Sequence, residues 1–177
     1  MRAGEGYMRL WKPILAAALL AGVLDLIYAC IHIGSYYDLS PMQIFQSIAR
    51  GVLGAETTKG GWGSASLGLF LEFVLTAIMA AAYIIPARWI TDLRKYWWLL
   101  GPCYGIVVMV VMYVVVLPLS AVHGNSALPD GPRGPDGRIT DHQILYGTIF
   151  AHMILVGLPI GAAARFLWPK EKMAAPA

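Results

Sequence analysis

The chain has 177 residues, of which 58% are hydrophobic and only 13% charged, and its mean hydropathy is +0.63. Soluble globular domains carry about 25% charged residues, so an ordinary water-soluble enzyme is excluded, and the length allows a single domain. The formal net charge of +3 does not point to nucleic acid, because the basic residues stand beside apolar runs instead of clustering on one surface.

A helix needs about 20 apolar residues to cross the hydrocarbon core, where unpaired peptide groups are not tolerated. Four segments qualify: Pro13 to Ile33, Ala65 to Ala87, Trp97 to Leu119 and Ile144 to Trp168. The expected fold is an all-α membrane protein, one integral domain over residues 1–177, with outer loops at 34–64 and 120–143. A signal peptide is the weaker reading of the start, since the first run is as long as a true span and contains Asp25. Lys and Arg are retained on the cytoplasmic side. With both termini inside, nine basic residues fall on inner segments and four, Arg50, Lys59, Arg133 and Arg138, on outer ones. Cys30 and Cys103 lie near opposite ends of their spans, so no disulfide between them is expected.

Ser40-Pro41-Met42-Gln43 has the form of a helix start, with a capping Ser, Pro in the first turn and Gln three residues after the cap. Met42, Phe45, Ile48, Ala49, Val52 and Leu53 then recur at helical spacing while Gln43, Gln46, Ser47 and Arg50 face elsewhere. This predicts a short amphipathic helix on the outer membrane surface between spans one and two. Gly60-Gly61-Trp62-Gly63 follows as a flexible turn, and no strand precedes it to make a phosphate loop. The short stretch from Arg88 to Tyr96 makes spans two and three antiparallel neighbours. In the second outer loop, His123 to His142, Pro and Gly forbid regular structure over 129–138. Its aspartates lack a calcium-loop pattern, and His123 and His142 read as solvated.

Ionisable side chains in hydrocarbon cost roughly 2.5 to 3.5 kcal/mol each on insertion scales, so each demands a partner, a water cavity or a task. By helical rise, Asp25, Glu72 and His152 lie about 10–12 Å below the outer ends of spans one, two and four, and Tyr113 about 9 Å below that of span three. Every helix thus places a polar group in one layer. Gly22, Asp25, Ala29 and His32 share a face of span one, as Gly68, Glu72, Thr76 and Ala80 do on span two, and the small neighbours mark faces packed against helices. Both acids are expected to point into the bundle.

Several chemistries fit such a layer. A metal site lacks the Glu-x-x-His pair of four-helix di-metal proteins, and haem held by His32 and His152 would need ligands at different depths. A proton or cation relay needs only a carboxylate, an imidazole and access to water, and a satisfied polar pair that fixes packing needs no ligand at all. The leading expectation is a non-enzymatic, outward-opening polar pocket of Asp25, Glu72, His152, Tyr113 and His32 that binds or conducts a small ion, proton or polar ligand, with no metal and no cofactor. The alternative is a structural or assembly subunit. Gly101 to Gly105 and Gly157 to Gly161 permit close helix contact within the chain, in a homo-oligomer or with another membrane protein.

Gly22-Val23-Leu24-Asp25, Ser40-Pro41, Ile48-Ala49-Arg50-Gly51-Val52-Leu53-Gly54 and Gly60-Gly61 together resemble a group of uncharacterised bacterial four-helix inner-membrane proteins. The resemblance covers most of the chain and implies a multi-pass protein of the bacterial inner membrane. The group tends to place a His about where Glu72 stands here.

Overall fold

The computed structural model describes residues 10–121 and 142–168. The expectations for 123–141 and for the His142 side chain fall outside the described side chains. The described residues are helical, with no strand among them, and four helices are long and apolar enough to cross a membrane.

Helix α1 (Trp11–Tyr28) continues through a π-helical turn, Ala29–Ile33, and a last α-turn, Gly34–Tyr37. Asp38, with φ of 54°, ends it in a left-handed conformation that Asp tolerates. Helix α2 (Pro41–Leu53) follows, and a 3-10 segment, Gly54–Gly60, leads into α3 (Gly61–Ile84). A short turn, Pro86–Arg88, and the single-turn helix α4 (Asp92–Lys95) connect to α5 (Trp97–Val111). That helix continues as a π-turn, Met112–Val116, and Leu117–Leu119. The fourth long helix comprises α6 (His142–Phe150), a π-turn, Ala151–Gly157, and α7 (Leu158–Phe166).

The expected turn at 60–63 is corrected. Gly61 to Gly63 form the first turn of α3, and the chain reverses in the 3-10 segment, where Gly54 and Gly61 take positive φ at its two ends. Glycine makes both reversals inexpensive.

Helix α2 begins where the sequence places it. The Ser40 amide donates to Gln43 Oε1 at 2.8 Å, and the Gln43 amide donates to Ser40 Oγ at 3.4 Å, completing a capping box. Its buried face, however, is Ile44, Gln46 and Ala49, whereas Val52 and Leu53 are exposed. Gly68 of α3 explains the rotation. A Cβ there would collide with the Phe45 carbonyl, so the two backbones touch and the turn Phe45–Ala49 is drawn onto α3. Gln46 is carried inward, where its Nε2 donates to Gly61 O at 3.0 Å and to Ser64 Oγ at 3.1 Å. The far end of α2 reaches the end of the third long helix, the Ala121 amide donating to Gly51 O at 2.8 Å. α2 therefore crosses one end of the bundle, opposite the end at which Trp11 and Phe166 lie.

Close packing follows the glycines. A Cβ on Gly101 would come within 2.7 Å of Gly157 O, one on Gly161 within 2.8 Å of Trp97 O, and one on Gly105 would overlap the His152 carbonyl. The two glycine stripes thus face each other inside the chain and join α5 to the fourth helix, backbone against backbone. The second and third helices, expected to be packed neighbours, touch mainly through Tyr104. Its hydroxyl donates to Met79 O at 2.8 Å, and its ring lies 5.1 Å from that of Tyr83. Ala17, Ala21, Ala80, Ile84, Val156 and Ile160 build the apolar core, all in the half of the bundle away from α2. Asp25, Glu72 and His152 lie in the half beneath α2.

Candidate functional site

Glu72 lies on the stripe Gly68, Glu72, Thr76, Ala80, and all four residues are buried, Glu72 at 8% exposure. Helix α1 can approach that stripe because Gly22 has no side chain. A Cβ there would stand 3.0 Å from the Phe73 ring and 3.2 Å from Thr76 Oγ1. The Thr76 hydroxyl is spent on its own helix, donating to Glu72 O at 2.9 Å. It is therefore unavailable to the carboxylate.

Asp25, one turn beyond Gly22, is half-buried. It interacts electrostatically with His152 of the fourth helix and with Glu72 of α3. The structure thus brings together three of the five expected site residues, from three helices. Asp25 stands between an imidazole, whose cation would attract it, and a second carboxylate, whose anion would repel it. Among the described residues neither carboxylate makes a hydrogen bond.

His152 sits in the π-turn Ala151–Gly157, with Nδ1 2.9 Å from Thr148 O. A carbonyl only accepts, so Nδ1 carries a proton, and Nε2 is left as the nitrogen that can gain or lose one. Gly105, lying against the His152 carbonyl, fixes the backbone that aims the ring. π-turns inside α-helices are frequent at functional sites, and here one contains His152 and another contains His32.

His32 is near the layer by way of a residue the sequence reading missed. Its ring stacks on Tyr28 at 5.0 Å between centroids, and Tyr28 interacts electrostatically with Asp25. Asp25, Tyr28 and His32 stand at i, i+3 and i+7, a helical-face spacing that was available in the sequence. Among the described residues Tyr28 Oη and His32 Nε2 are both buried without a hydrogen-bond partner, and both lie within 2.7 Å of where a Cβ of Gly147 in α6 would stand.

Tyr113 is a correction. It is 51% exposed, pointing away from the bundle. The buried stripe of α5 is Gly101, Gly105 and Val108. At about 100° per residue, Tyr113 is carried round to the outer surface.

No three His, Cys, Asp or Glu side chains come together in a geometry able to hold a metal ion among the described residues. Cys30 and Cys103 are free thiols. What the arrangement offers is proton and hydrogen-bond chemistry: two carboxylates that make no hydrogen bond among the described residues, one imidazole whose Nδ1 alone is engaged, and a Tyr–His pair beside them. The chain matches no family model, no curated protein and no solved structure.

Proposed function

We propose that this is a multi-pass protein of the bacterial inner membrane in which Asp25, Glu72 and His152 form an outward-opening polar pocket that binds or conducts a small ion, proton or polar ligand. The observation that carries this reading is that two carboxylates on facing helices, Glu72 at 8% exposure and the half-buried Asp25, make no hydrogen bond among the described residues. A pair kept only for packing would be satisfied. Large apolar side chains point outward on all four long helices, among them Leu20, Phe70, Val114 and Phe150, as a lipid-facing surface requires. The membrane assignment to bacteria follows the resemblance in the Gly22–Asp25 and Ile48–Gly54 motifs. The orientation, with termini in the cytoplasm and α2 on the periplasmic side, follows the bias of basic residues towards the terminal end. A phosphatase fused to the C-terminus is expected to be inactive, and periplasmic activity would reverse the orientation.

The alternative, a subunit that docks another membrane protein through its glycine faces, is weakened because the two stripes already occupy each other. Single replacements Asp25→Asn, Glu72→Gln and His152→Gln separate the readings. The pocket predicts that each variant folds and melts within a few degrees of wild type while uptake or flux in proteoliposomes falls by about tenfold or more, the worth of one lost hydrogen bond at the site. Variants that lose thermal stability and keep their flux would refute the pocket.

A further inference from the structure

We propose that Tyr28 and His32, packed over Gly147, form a port for water and its excess proton, through which Asp25 exchanges protons with the solution at the α2 end. The proposal rests on the pocket reading and names the pocket's substrate as the proton.

Two buried polar atoms without partners are uncommon, because each costs about 1–3 kcal/mol. Here Tyr28 Oη and His32 Nε2 are orphaned side by side, on successive turns of one helix. Gly147 makes the arrangement possible, since any larger residue would place a carbon where the hydroxyl lies and within 2.7 Å of Nε2. The half-exposed Phe150 ring stands 6.4 Å from that of Tyr28, at the rim of the pair. Asp25 interacts electrostatically with Tyr28 on its own helix, and His152 of the fourth helix and Glu72 of α3 interact in turn with Asp25.

The chemistry favours a proton over a metal cation. A hard cation wants six or more oxygen ligands, and no metal-binding triad exists among the described residues. A phenol and an imidazole can each give and accept a proton, which is what a relay requires. In the relay, His32 takes a proton from hydronium at Nδ1, releasing water; a water held in the port accepts the His32 Nε2 proton while giving one of its own to Tyr28 Oη, and the Tyr28 hydroxyl proton passes through a second water to an Asp25 carboxylate oxygen. Tyr28 regains its hydroxyl, His32 returns to neutral and resets by tautomer exchange. One proton moves, and no electron does.

The test uses the full chain in proteoliposomes loaded with pyranine, potassium and valinomycin, given an external acid pulse. Wild type is expected to acidify the lumen, and Tyr28→Phe and His32→Gln to slow this by about tenfold or more. Tyr28→Phe removes only an oxygen that has no partner, so its melting temperature should hold or rise, and a slowed rate then reports the path and not the fold. If both variants acidify as fast as wild type while Asp25→Asn does not, the port is overturned and the pocket stands. If wild type carries sodium or potassium but no protons, the proton assignment fails and the pocket again stands. If it carries neither protons, sodium nor potassium, the port falls together with the ion-conducting pocket.

Discussion

Gly105→Val is expected to destabilise the protein by about 3 kcal/mol or more, the upper end of what overpacking costs, because relief requires two backbones to separate and not one side chain to turn. The Cβ would enter the His152 carbonyl, and the adjoining contacts at Gly101, Gly157 and Gly161 tie the same two helices together. Moving the fourth helix also moves the imidazole, so any flux should be lost with the packing. Gly63→Ala is the control. Gly63 lies in α3 with nothing within 4 Å of an added Cβ, and alanine is favoured there by about 0.5–1 kcal/mol. Unfolding in SDS/detergent mixtures reads both variants, and equal effects at the two glycines would contradict the close-packed interface.

Glu72→Met is expected to do the reverse, raising stability by about 2 kcal/mol while abolishing function. The volumes are similar, so packing is preserved. What is removed is a carboxyl at 8% exposure with no hydrogen bond among the described residues. An unpartnered buried polar group costs about 1–3 kcal/mol and an intramembrane charge roughly 2.5 to 3.5 kcal/mol on insertion scales. Stability gained by deleting a functional group is the usual sign of a site held at the expense of the fold. A fall in melting temperature would show instead that Glu72 holds helices together.

The features legible in the sequence are those set by local chemistry. The third long apolar helix lies at Trp97–Leu119 as its apolar run places it, and the capping box at Ser40 and Gln43 starts α2 on the expected residue. The stripe Gly68, Glu72, Thr76, Ala80 is the buried face because small residues at helical spacing admit a neighbour. Features that depend on which backbones touch were not legible. Gln46 reads as a solvated residue of an amphipathic helix, and it is buried because Gly68 pulls that turn onto α3. Tyr113 shares the depth of the layer but not its direction, since depth follows from residue count and direction from the rotation the glycine stripe imposes. The π-turns leave no mark in the hydrophobic pattern, yet they hold both imidazoles of the candidate site.

The pocket claim comes down to whether a carboxyl buried between helices exchanges protons with water. Infrared difference spectroscopy of the protein in lipid films, taken as the bathing pH is stepped, follows that carboxyl directly. A reversible carboxyl band is expected that is absent in Glu72→Gln and perturbed in Asp25→Asn, because the two groups sense each other's charge. A spectrum with no carboxyl change assignable to Glu72 or Asp25 at any pH at which the protein stays folded would contradict it, leaving a sealed polar layer that serves only to pack the helices.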